Sequence, residues 1–322
     1  MSNLKKPGFW VPLVAVVAGG LWPIVTDSAA NREVFFTVLL AITLASSLNI
    51  LLGYTGYVSF GHIVFYGLGA YVGFYLISVH GVSLPVAMVA GGLVPAVTAF
   101  LLGKAILRLR GAYFALATIG INEAARAFIR NFDPFGGPVG MQLNFNVYKQ
   151  YGGAAQALWT IYYLAVGLTL LVLIVSYVVR SSKFGLGLMA IRENEDAAEV
   201  MGVRAPNAKT WAYVISAIFP GIMGVLFFFK NGNILPGDAF RLHFSIEMIV
   251  MVMLGGAGLV IGPVLGGAVY QRLRGTLLVT PMFRDYQLVV AGVMLLVIIL
   301  FVPEGVIGWI RRRFPRTRRV LE

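Results

Sequence analysis

The chain has 322 residues, 59% hydrophobic and 12% charged, with 25 Lys and Arg against 13 Asp and Glu. That composition excludes an ordinary soluble domain and places the protein in a membrane. Having no cysteine, it has no disulfides, thiolate metal site or thiol catalysis. The net charge of +12 does not point to nucleic acid, because the basic residues sit at segment ends, six of them Arg between Arg311 and Arg319, where they anchor against anionic lipid.

Several uncharged runs reach the roughly 20 residues that a spanning helix needs. They lack the period-2 alternation of barrel strands, so the fold class is all-α: a polytopic helical bundle of eight to ten membrane segments, in one domain over residues 1–322. Lys5 and Lys6 favour a cytoplasmic start to a retained first span, Gly8 to Thr26. After an outer turn at Asp27 to Glu33, the second span runs from Val34 to about Leu52 and ends in a glycine-punctuated stretch, Gly53 to Gly73. The third, Ser59 to Val79, presents Gly69 and Gly73 as a small-residue packing face.

Leu84 to Leu107 is span four, closed by the cytoplasmic markers Lys104, Arg108 and Arg110. Gly111 to Phe128 is less apolar and is either a full span with a polar end or a partial one. Asn131 to Ala157 is a long outer connection, and Leu158 to Val179 is span six. Trp211 to about Phe229 is span seven, bent or shortened at Pro220-Gly221. Beyond an outer turn at Asn231 to His243, the run Ser245 to Arg274 is broken by Gly255-Gly256-Ala257-Gly258 and Gly262-Pro263. As a hairpin it keeps the terminal Arg run inside but leaves Arg272 and Arg274 on the other side. The last span is Tyr286 to Val302, followed by the basic tail, residues 311–322. Two broken, small-residue stretches in corresponding halves of a chain mark a translocation path, or else close helix crossings.

No phosphate-binding loop is present, and His62, His80 and His243 have no metal-ligand spacing. His62 either lines an aqueous path or, as the preferred reading, bonds a backbone carbonyl freed by a helix break. Intramembrane acids are functional candidates by default. Glu123 has Arg126 at i+3 for a local ion pair, and Glu247 lies close enough to a membrane boundary to be solvated.

Ser181 to Thr210 gathers four of the thirteen acids within seven positions, Glu193, Glu195, Asp196 and Glu199. Phe184, Leu188 and Ile191 recur ahead of them at helical spacing, so an amphipathic helix across the cytoplasmic mouth is expected, ended by Gly202 and Pro206. Asp196-Ala197-Ala198-x-x-x-Gly202 resembles the EAA-x-x-x-G coupling loop of bacterial ABC import permeases, with Asp for the first Glu. The downstream Ile and Leu-Pro of that pattern are not met; the nearest candidate is Ile218-Phe219-Pro220. With NILLGYTGYVSFGHIVFYGLGAY, GLMAIRENEDAAEVMGV and VMLGGAGLVIGPVLGGAV followed by FVPEGVIG, the chain resembles LivM-type permeases of branched-chain amino-acid ABC transporters from about Val34 to Ile310.

The resemblance implies an importer in a bacterial plasma membrane, with both termini cytoplasmic. Its pore would be formed with a LivH-type permease, powered by two cytoplasmic ATPases and supplied by an external binding protein. The permease itself performs no bond chemistry and carries no cofactor, ATP and Mg belonging to the ATPases. On this resemblance, a coupling helix spans about Gly187 to Gly202, with Arg192, Glu193, Glu195, Asp196 and Glu199 toward the ATPase and Ala197 and Ala198 permitting close packing. Gly53, Tyr54, Gly56, Ser59, Gly61 and His62, with Gly255, Gly256 and Gly258, would border the path. The alternatives are a related permease for urea or short amides, a self-sufficient secondary carrier or channel, and a scaffold without transport activity.

Overall fold

The computed structural model describes residues 7–279 together with 289, 292, 293, 296, 305, 307 and 308. Twelve helices lie within 7–279: α1 Pro7–Val25, α2 Ala29–Thr55, α3 Ile63–His80, α4 Leu84–Ile106, α5 Ala112–Arg130, α6 Ala154–Ser181, α7 Lys183–Glu193, α8 Glu195–Val200, α9 Ala205–Asn231, α10 Pro236–Ala239, α11 Leu242–Gly255 and α12 Ile261–Val279. Six of them, α1, α2, α3, α4, α6 and α9, are long and apolar enough to cross a membrane. The protein is thus an all-α, multi-pass membrane protein, with the last expected span and the basic tail largely outside the described residues. α2 and α9 are 78% buried while α4 and α6 are 33% and 39% buried, so α2 and α9 form the centre and the others its wall.

Three boundaries differ from expectation, each for a local reason. Ser28 caps α2 by accepting from Asn31 N–H at 3.3 Å, which draws Arg32 and Glu33 into the helix rather than the turn. Arg32 then lies 5.0 Å over the Trp159 ring and Glu33 pairs with Lys230 at 2.5 Å. α9 begins at Ala205, not Trp211, because Pro206 fits a first helical turn and Lys209 finds buried partners. Pro220 does not shorten α9, which runs unbroken to Asn231. The outer connection 131–153 is mostly 3-10 turns, pinned by a two-residue strand, β1 Met141–Gln142, antiparallel to β2 Asn233–Ile234.

Without a hydrophobic force between helices in lipid, close packing must hold them, and small residues permit it. Gly69 and Gly73 do face neighbouring helices: a Cβ at Gly69 would stand 2.3 Å from the Gly91 carbonyl of α4 and 2.4 Å from Gly221 Cα of α9. A Cβ at Gly221 would stand 2.1 Å from the same Gly91 carbonyl. The second broken stretch is a hairpin, α11 returning as α12, in which Gly255 abuts the Gly262 carbonyl and Gly266 the Met251 carbonyl. Gly267 sets this hairpin against Ile42 of α2.

Backbone cannot yield as a flexible side chain does, so Gly221→Val should destabilise the bundle by about 2 kcal/mol, within the usual cost of overpacking. Gly167→Ala, on the exposed face of α6 with nothing within 4 Å, is the control. Thermal unfolding in detergent checks this, with a lowered midpoint expected for the first variant alone.

Candidate functional site at the broken segments

The last carbonyls of a helix have no partner within it. α2 ends at Thr55, and its Gly53 carbonyl is taken by Arg192 Nη1 at 2.7 Å, from the end of α7. One turn earlier, Asn49 treats the 256–260 loop as a second peptide would. Its Oδ1 accepts from Gly258 N–H at 2.9 Å and its Nδ2 donates to the Leu259 carbonyl at 3.1 Å. Side chains are excluded here, since a Cβ on Gly53 would lie 2.6 Å from Gly258 N and one on Gly258 would lie 2.7 Å from Arg192 Nη1. The two glycine-broken stretches and the charged segment therefore meet at one junction, across 139 residues from Gly53 to Arg192 and 209 from Asn49 to Gly258.

The expected single helix is two. Asn194 leaves helical geometry, and its side chain caps α8 by accepting from Ala197 N–H at 3.0 Å. Gly202, at φ +90°, ends α8 as expected, with Val203 N–H returning to the Ala198 carbonyl at 3.0 Å. Leu188, Ile191 and Ala198 are buried, whereas Glu193, Asp196, Ala197 and Glu199 are exposed. The apolar tip Val200-Met201 also stands in the open.

Glu195 points inward instead. It accepts from Lys209 Nζ at 2.6 Å and from the Tyr57 hydroxyl at 2.6 Å, and Lys209 also donates to Tyr57 at 2.8 Å. Burial alone would raise the Glu195 pKa; the bonds from Lys209 and Tyr57, with the nearby Arg110, outweigh it and hold the carboxyl below its ordinary range. On the surface, Arg110 bonds Asp196 at 2.8 Å and lowers that carboxyl as well. A cavity of about 530 Å³ lies between this network, the 56–60 loop and the start of α5, with Arg192 and Arg110 on its wall.

The other predicted path residues are dispersed. Tyr54 is buried against α6, bonding the Ser176 hydroxyl at 2.7 Å. Gly61 abuts the Thr118 carbonyl of α5, Gly56 lies at the cavity, and Ser59 is buried in the same loop. His62 reaches α9, its Nε2 lying 3.2 Å from the Ser216 carbonyl, which Ser47 also bonds. That carbonyl lies four residues before Pro220, so it is the one deprived of its helical donor. His62 thus meets a freed backbone carbonyl, but one released by Pro220 inside the continuous α9 and not by the break in its own stretch. Gly255 and Gly256 serve the hairpin turn.

Of the two acids, Glu123 pairs with Arg126 at 3.4 Å on an exposed surface, as expected. Glu247 differs from expectation: it is 2% exposed, not solvated, and is bonded by Arg274 at 3.1 Å. The hairpin returns Arg274 to it, which explains a basic residue placed against the charge rule. Asn49, Tyr57, Lys209 and Ser47 are site residues beyond those the sequence points to; for Ser47 and Asn49 the signal is a buried polar run in α2 (Thr43, Ser46, Ser47, Asn49), and Tyr57 and Lys209 carry none.

The profile of the family described as "Branched-chain amino acid transport system / permease component" matches residues 32–299. The chain belongs to this permease family. It is 27% identical to the high-affinity branched-chain amino acid transport system permease protein LivM of Salmonella typhimurium and, equally, of Escherichia coli, over 96% of its own length and 77% of theirs. A shorter likeness, 29% over 39% of this chain and 40% of the relative, is to the BraD permease of Pseudomonas aeruginosa. The ribose import permease RbsC of Bacillus subtilis is 24% identical over 43% of this chain and 46% of its own. No solved structure matches.

For a permease of this family, Lys209→Met should cost about 3 kcal/mol, since it strands a nearly buried carboxylate, and adding Glu195→Gln should recover most of that. The Glu195 contribution exists where the carboxyl is ionised in both states, so it is full at neutral pH and is lost as pH falls through and below the ordinary carboxylate range. Chemical denaturation of the single and double variants at neutral and acid pH checks both statements.

Proposed function

We propose that the protein is a permease subunit of an ABC importer for branched-chain amino acids, paired with a LivH-type permease. Two ATPases dock on the α7–α8 face and a binding protein delivers substrate at the opposite one. The observation that carries this reading is the junction itself. In a chain of this family, Arg192 and Glu195 on the projecting α7–α8 segment bond directly into the first broken segment, at Gly53 and at Tyr57 of the 56–60 loop, and Asn49 one turn before Gly53 bonds the second. Lys104, Arg108, Arg110, Arg180, Lys183 and Arg204 border the same face, which supports a cytoplasmic orientation.

Closure of the ATPases on ATP would press on exposed Asp196, Glu199 and the Val200-Met201 tip, and the part-buried contacts of Arg192 and Glu195 would carry that displacement to the path. The motion is alternating access, and the permease performs no bond chemistry. Transport therefore depends on partners, which separates this reading from a secondary carrier. Leucine, isoleucine or valine as substrate separates it from a urea or amide permease.

Liposomes holding the chain, its second permease, the ATPases and the binding protein should take up leucine only with ATP, and the chain alone should take up none under a proton or sodium gradient. Uptake by the chain alone, or a preference for urea or acetamide, would contradict the reading. In the same liposomes Asp196→Lys with Glu199→Lys should cut substrate-stimulated ATPase activity by about tenfold or more, because misplaced charge across an interface is strongly disfavoured. Unchanged stimulation would remove the docking role.

A further inference from the structure

Glu247 of α11, Arg274 of α12 and His243 form a cluster of ionisable groups packed beside α2, one of the six helices long and apolar enough to cross a membrane. It borders a cavity of about 280 Å³ lined also by Thr37, Leu40 and Leu44 of α2. Leu40 to Leu44 lies at the middle of α2, about 18 Å along a helix of about 40 Å. Ionised groups at such depth are costly and are retained where they serve a polar path or ligand.

The pair is left incomplete. Arg274 Nη1 bonds Glu247 Oε2 at 3.1 Å, but the buried Arg274 Nε has no acceptor. On the other side of the pair, the Tyr270 hydroxyl also bonds the Glu247 carboxylate, but Glu247 Oε1 itself has only the His243 Nε2 contact at 2.8 Å and no aligned hydrogen bond. One unused donor on a cation and one unused acceptor on an anion thus stand together. A ligand that completes both must carry an acceptor anion and a donor cation a few ångströms apart. That is the head of a zwitterionic α-amino acid, its carboxylate on the Arg274 fork and its ammonium on Glu247.

The rest of the wall is mostly apolar, with Phe227, Phe244, Met248 and Met251, and Gln271 and Thr37 are its neutral polar side chains. The cavity lies near the lower end, ~300 Å³, of small-molecule pockets, which suits a compact apolar side chain. Methionines adapt to branched shapes at little cost. A sugar would need neutral donors and acceptors around its hydroxyls, and this wall supplies few.

The geometry points to this cavity as a midmembrane binding site for a zwitterionic, apolar amino acid, held by Arg274 and Glu247. The inference rests on the substrate class proposed above and adds its place. Entry replaces the direct Arg274–Glu247 contact with two ligand-bridged ones, so the site accepts the zwitterion and disfavours either half alone.

The absence of native cysteine makes the test direct. In the reconstituted assembly, T37C places one thiol on the cavity wall and T98C one on α4 as a control, and their alkylation by a membrane-permeant maleimide is timed. Leucine should slow labelling of the T37C thiol at least fivefold and leave the T98C thiol unaffected. Leucinamide, which lacks the carboxylate, and 4-methylpentanoate, which lacks the ammonium, should not protect, and R274Q or E247Q should abolish protection by leucine. No protection by leucine, or equal protection by all three compounds, overturns the site without any need for the charge variants to fold. Leucine uptake measured in parallel separates the two readings: uptake without protection rejects the site and keeps the substrate class, while protection without uptake rejects the transport role and keeps the site.

Discussion

A backbone carbonyl released inside lipid must find a donor from its own protein, because no water is there to supply one and each unsatisfied group costs several kcal/mol. This chain releases such carbonyls at several places, and the donors recruited for them account for its organisation. Pro220 frees Ser216, and Ser47 and His62 answer it from α2 and the 56–62 loop. The end of α2 frees Gly53, and Arg192 answers it from α7. The hairpin turn exposes the Leu259 carbonyl and the Gly258 N–H, and Asn49 meets both. Each of these three breaks is thereby tied to a different helix, so it cannot move without its partner.

Such ties differ in weight. Arg110 and Asp196 are exposed, and a surface pair of this kind contributes little. Lys209, Glu195 and Tyr57 are largely shielded from solvent and satisfy one another, and a network of that sort resists the loss of any member. Placed between the projecting α8 and the 56–60 loop, it makes α8 a rigid extension of that loop. For the proposed importer, driven by a separate ATPase subunit, that rigidity is the property required.

The helices, their small-residue packing faces and the segment ended by Gly202 were legible in the sequence because each rests on local chemistry: apolar length, glycine spacing and a helix stop. The α11–α12 hairpin was legible from its glycines. What the sequence withheld depends on distant partners. Arg32 and Glu33 read as turn residues because Trp159 and Lys230 are far away in the chain. Glu247 read as solvated because Arg274 returns to it only through the hairpin. Asn49 carries no local signal beyond being polar in an apolar helix, and its double bond to the 256–260 loop spans about 210 residues. Of the residues expected to border the path, Gly53, Gly56 and Gly258 gather at the junction and its cavity, while Tyr54 faces α6, a division that no spacing rule contains.

The claim that the α7–α8 segment and the hairpin loop move as one body, Arg192 holding the end of α2 at Gly53 and Asn49 of α2 holding the loop, is tested most directly by pulsed electron spin resonance between labels at E199C and A257C in the assembled transporter. One narrow distance distribution, unchanged between nucleotide-free and ATP-bound states and broadened when Arg192→Gln is added, is the result expected. Labels that separate on ATP binding, or a distribution that Arg192→Gln leaves untouched, would contradict it.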